Sequence, residues 1–61
     1  MINFTITASD GVSRNVEGKL FPNEFRIYRV HGDVTNREAL AETAQILALD
    51  LRVENVKFTN I

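Results

Sequence analysis

The chain has 61 residues, no cysteine, one histidine and a formal net charge of −1, with 44% hydrophobic and 25% charged residues. This composition excludes a disulfide framework, a zinc site built on thiolates, and a polycation made for DNA phosphates. No apolar run reaches the roughly 18 residues of a membrane-spanning helix.

A domain of this length buries only about 60% of the surface its unfolded chain exposes. With neither disulfide nor metal to support it, the remaining supports are a well-packed core or self-association, and on that ground a homodimer is the favoured expectation. The segment Met1–Thr5 lacks the basic start and apolar stretch of a signal peptide, so cytoplasmic residence is expected.

In chain order, Ile2, Phe4, Ile6 and Ala8 alternate with Asn3, Thr5 and Thr7, which predicts a half-buried strand. Ser9-Asp10-Gly11 is turn chemistry. Val12, Arg14 and Val16 then interleave with Ser13, Asn15 and Glu17, a return arm weakened by poor strand formers. Gly18 to Glu24 is expected to be a connection broken by Pro22 and Asn23, with Leu20 and Phe21 folded back onto the core or at an oligomer contact.

Phe25–Val30 predicts a strand of two-sided character: Phe25 and Ile27 share one face, Tyr28 and Val30 the other. His31-Gly32-Asp33 predicts a turn. A helix should follow, with Thr35 as N-cap, Glu38 completing a capping box, and Val34 and Ala39 as the hydrophobic staple. Its apolar stripe is expected at Leu40, Ala44 and Leu47, edged by Thr43 and Leu51 and widened by Ile46 and Leu49. The wet face takes Arg37, Glu38, Glu42 and Gln45, and the helix should end near Leu49 to Leu51. Val53, Val56 and Phe58 predict a last strand with a bulge or a late start.

The predicted order is β-β-β-α-β: one α+β domain over residues 1–61, with one helix on one face of a three- or four-stranded, mainly antiparallel sheet. Ile2, Phe4, Ile6, Phe25, Ile27, Val56 and Phe58 are placed under the helix. The open face then carries Asn3, Thr5, Thr7, Arg26, Tyr28, Val30, Asn55, Lys57 and Thr59. Glu38, Glu42, Asp50 and Glu54 make the helix side acidic against a mildly basic sheet.

Catalysis is not expected. His31 and Asp33 lie two apart in a glycine turn, the setting of solvated turn-formers. Ser9 and Ser13 have no histidine at a recognisable spacing. Glu38 and Glu42 share a helix face, where a metal would need further ligands, and Glu38 is assigned to the cap. Isolated Gly11, Gly18 and Gly32 form no phosphate loop. Neither metal nor cofactor is predicted.

The open face offers binding instead. Tyr and Arg are frequent anchors of protein contacts. A single-stranded nucleic-acid platform usually stacks bases on two or three aromatics, and Tyr28 stands alone. The residues predicted to bind are Arg26, Tyr28 and Arg29 on the central strand and Arg52, Asn55 and Lys57 on the last. A nucleic-acid regulator using the same face, and a self-associating structural subunit, are the alternatives.

Ile27-Tyr28, Thr35-Asn36-Arg37-Glu38-Ala39-Leu40, Ala44, Val53 and Val56 together resemble the small early proteins of tailed bacteriophages, nearest the T7-like phage inhibitors of bacterial RNA polymerase. The resemblance covers residues 27–58. It implies a similar fold and a short effector of phage or mobile-element type that modulates a host protein machine by stoichiometric binding. The chain departs from that family in having no tryptophan and in running Leu49-Asp50-Leu51-Arg52 late in the helix. The positions matching the family's polymerase grip fall nearest Arg52 and Asn55, so the resemblance does not imply the same target.

Overall fold

The computed structural model describes residues 1–59. Its elements are β1 (Ile2–Thr7), β2 (Ser13–Phe21), β3 (Glu24–His31), α1 (Arg37–Leu51) and β4 (Asn55–Phe58). The four strands form one sheet in the order β1-β2-β3-β4. The first two pairings are antiparallel and the β3–β4 pairing is parallel. A parallel pair needs a crossover connection, which α1 supplies. The result is the predicted α+β architecture, with a mixed sheet.

β2 is longer than its propensities suggest. It runs through Gly18 to Phe21, so the expected connection shrinks to Pro22-Asn23. β2 lies inside the sheet, and pairing on both sides outweighs the weak strand preference of Ser, Asn and Gly. Gly18 is required there by space: a Cβ would lie 2.1 Å from the carbonyl oxygen of Arg26 and 2.8 Å from Cζ of Phe25. On the same side of the sheet, Phe25 meets Phe4 edge to face, ring centroids 5.7 Å apart.

A bulge resolves the two-sided character of β3. Glu17 pairs with Arg29 and Gly18 with Ile27, which leaves Tyr28 as the extra residue. Phe25 and Ile27 are fully buried, and after the bulge Val30 also turns towards the core. The expectation that Val30 lies on the open face is therefore corrected. One inserted residue inverts the alternation for the rest of the strand.

The core joins Ile6, Val16, Phe25, Ile27 and Leu47, with Phe4, Val30, Ile46, Leu51, Val53, Val56 and Phe58 packed around it. On α1 the buried line is Ala39, Thr43 and Leu47, four residues apart, with Leu40, Ala44 and Ile46 half-buried beside it. Burying a leucine side chain such as that of Leu47 contributes about 2 kcal/mol. The Thr43 hydroxyl is satisfied by donating to the Ala39 carbonyl at 2.8 Å. Leu49, expected to widen the stripe, is 79% exposed because it lies roughly 200° around the helix from Leu47.

The predicted capping box does not form. Asp33 Oδ1 accepts from both the backbone N–H and the hydroxyl of Thr35, at 2.9 and 2.6 Å. With Thr35 held in that turn, the helix begins one residue later. Asn36 is the N-cap and accepts from the Ala39 N–H at 3.2 Å. At the other end Arg52 takes a left-handed conformation, φ 56°, and donates its N–H to the Ala48 carbonyl. β4 starts late, at Asn55, as expected.

Two polar contacts tie the first hairpin to α1 and to the segment before it. Arg14 has no exposed surface. Its guanidinium donates to both carboxylate oxygens of Asp10, to the Val12 carbonyl and to the Asp33 carbonyl. Gly32 makes room for it, at φ 126° and with a prospective Cβ 3.1 Å from Arg14 Cγ. Glu42, expected on the wet face, instead accepts from the backbone N–H and hydroxyl of Ser9, the latter at 2.7 Å. The first hairpin and the approach to α1 are thus joined by buried charge, a link that hydrophobic periodicity does not register.

Candidate functional site

The sheet face away from α1 is organised in cross-strand rows. Facing residues in adjacent strands lie about 5 Å apart, so a row acts as a local cluster. Lys19 pairs with Arg26 and Arg26 with Lys57, which sets three cations side by side across β2, β3 and β4. The row on one side holds Phe21, Glu24 and Asn55. The row on the other holds Asn3, Glu17 and Arg29, with Tyr28 bulged beside them.

Two glutamates pair with basic side chains of this face. Glu24 pairs with Arg26 and, at 3.4 Å, with Lys57. Glu17 accepts from His31 Nε2 at 2.9 Å and lies 4.0 Å from Arg29 Nε. The glutamate side chains are recessed, 19% and 27% exposed, while Arg26, Lys57 and Arg29 are 42%, 57% and 70% exposed. The carboxylates therefore lie low and the cations project, so the outermost layer of the face is positive. The hydrogen bond from Arg26 holds the Glu24 carboxyl below its ordinary range, and in return Glu24, with a smaller contribution from Tyr28, raises the affinity of Arg26 for its proton.

The Arg26 guanidinium also sits over the Phe21 ring, 4.3 Å from its centroid. One face of Phe21 is thereby covered by a cation. Tyr28, half-exposed, is the second aromatic beside the cation row.

Of the six residues predicted to bind, five share this face: Arg26, Tyr28, Arg29, Asn55 and Lys57. Arg52 does not lie on β4. It is the exposed cap of α1, before the strand begins. Lys19, Glu17 and Glu24 are members of the site that the sequence reading left out. The signal for Lys19 was present, since Glu17, Lys19 and Phe21 continue the alternation of β2 beyond Gly18.

The residues considered for catalysis are used otherwise. His31 meets Glu17, Asp33 holds Thr35, and Ser9 is bound to Glu42. Among the described residues no group of three or more His, Cys, Asp and Glu side chains is placed to hold a metal. Two open depressions share Arg37 and Leu40 along the first half of α1, one reaching Phe58 and the other Val34 and Thr35, and among the described residues Arg37 brings the one ionisable side chain that lines them. No helix of the structure is long and apolar enough to cross a membrane. No family model, curated protein or solved structure matches the chain.

Proposed function

We propose that this chain is a small non-catalytic effector that works in the cytoplasm by stoichiometric binding of a protein through its open sheet face. The observation that carries the reading is the row Lys19–Arg26–Lys57, projecting above recessed Glu24 and Glu17 beside Tyr28. Such a face matches an acidic surface with a pocket for one aromatic anchor: the tyrosine supplies desolvated contact area and the cations steer and orient. The resemblance to phage inhibitors supports the same mode of action, modulation of a larger host machine by contact alone.

A nucleic-acid regulator is the less favoured reading. The two glutamates offset part of the charge a phosphate chain would meet, and Arg26 already covers one face of Phe21. The test couples two titrations. The immobilised chain should retain a host protein at fixed stoichiometry, and Tyr28→Ala should weaken that complex at least about ten-fold while moving Tm by no more than a few degrees. A labelled 20-nucleotide single strand should bind weakly. Tight binding of that strand, falling steeply with added salt as phosphate neutralisation requires, would overturn the protein reading.

A further inference from the structure

The two edges of the sheet are built differently. β4 is short, four residues, and carries Lys57 with Glu54 just before it. β1 has six residues, and no side chain from Met1 to Ser9 carries a charge. β1 also contains no proline, glycine or bulge, and among the described residues no strand pairs with its outer side. Soluble proteins block such edges with charge, proline, bulges or very short strands, because an open row of N–H and C=O groups invites another strand. β4 has two of these protections and β1 has none.

The order of residues in β1 indicates which strand fits. Ile2-Asn3-Phe4-Thr5-Ile6 has nearly the same pattern in both directions. Antiparallel neighbours place facing residues on the same side of the sheet, so a slip of one residue would set apolar against polar. A register centred on Phe4 avoids that: Phe4 faces Phe4 of the second copy, Ile2 faces Ile6, and Asn3 faces Thr5. Apolar residues meet on the helix side and polar ones on the open side. Ile2 and Met1, 40% and 73% exposed in the single chain, gain neighbours from the second copy.

We infer that β1 pairs with β1 of a second copy of this chain, antiparallel about a two-fold axis at Phe4, giving one eight-stranded sheet. The axis stands perpendicular to the sheet, so both α1 helices lie on one side and both cation rows on the other. The contact is isologous and closes on itself. It rests on the edge chemistry of β1 and is independent of what the open face binds.

The experiment uses mass measured by sedimentation equilibrium over a range of concentrations. The native chain should approach twice its 6.9 kDa as concentration rises. Two double variants alter exposed positions on the open side of β1, leaving the core intact: Asn3→Lys with Thr5→Lys, and Asn3→Glu with Thr5→Glu. Each sets like charges opposite one another across the axis and should weaken self-association by at least about ten-fold. An equimolar mixture sets Lys against Glu and should restore the doubled mass as a one-to-one heterodimer. Circular dichroism of each variant checks that the monomer remains folded. A native chain that stays at 6.9 kDa up to millimolar concentration overturns the inference, whether or not β1 accepts a strand from another protein. A dimer indifferent to both charge variants overturns it too, by placing the contact elsewhere.

Discussion

Arg14 donates to both carboxylate oxygens of Asp10, at 2.7 Å from Nη2 and 3.2 Å from Nη1, with its own side chain wholly out of solvent. The pair lies where the β1–β2 turn meets the loop leading into α1, because the same guanidinium also reaches the Asp33 carbonyl. Removing Asp10 leaves the buried Arg14 guanidinium without its carboxylate, with only the Val12 and Asp33 carbonyls to accept from it.

This arrangement sets the acid limb of stability. The Asp10 carboxyl is held below its ordinary value first by Arg14 and then by the Val12 N–H. Glu42, Asp33 and Glu24 are lowered as well, by Ser9, Thr35 and Arg26 respectively. A depressed folded-state pKa means that the unfolded chain binds more protons, so the stabilisation is complete above the ordinary carboxylate range and is lost as pH falls through the folded values. Tm followed by circular dichroism should hold from pH 7 to about 5 and fall steadily below about 4. Asp10→Asn should lower Tm at pH 7 by several degrees. Its deficit should shrink as the native Asp10 is itself protonated. A deficit that stays constant down to pH 2 would show that the fold does not lower the Asp10 pKa, against its pairing with Arg14.

Gly18→Ala should be severely destabilising even though alanine is ordinarily tolerated where glycine has no special φ. Its Cβ would lie 2.1 Å from the Arg26 carbonyl oxygen, and backbone cannot rotate away as a side chain can. A loss of about 3 kcal/mol or more is expected, read as a shift in the urea midpoint. A near-neutral result would mean that β2 and β3 separate locally without consequence, contrary to the tight pairing at the bulge.

The helix start gives a paired test. Asn36→Ala removes the side chain that accepts the Ala39 N–H and should cost about 1 kcal/mol. Thr35→Ala removes a hydroxyl that bonds Asp33 rather than the helix, and should cost less than half as much. Urea unfolding of the two variants, side by side, decides between them. A larger effect at Thr35 would restore the capping box predicted from sequence.

Much of the fold was legible because period-two and period-3.6 patterns report burial directly. Phe4, Ile6, Phe25 and Ile27 took their predicted places under the helix while Ile2 stays exposed, and the helix ended where expected. Local signals misled where two of them competed. Thr35 and Asn36 are both good caps, and Asp33 decided between them by binding Thr35. Likewise, Gly18 and Pro22 both punctuate the chain, yet only Pro22 lies in the turn. The binding face was legible as a set of residues but not as a pattern, because Lys19, Arg26 and Lys57 come from three strands whose register is a property of pairing.

The amino-acid sequence alone determined the element order, the one-sided shielding of the sheet by the helix, and the split between an acidic helix side and a basic sheet. Those follow from local periodicity and charge, which each segment carries by itself. Only the tertiary structure decided the bulge at Tyr28 that turns Val30 inward, the burial of Arg14 against Asp10, the latch of Glu42 on Ser9, and the alignment of three cations in one row. Each depends on which atoms of distant segments come within hydrogen-bonding or van der Waals reach, and that is settled by packing the whole chain at once.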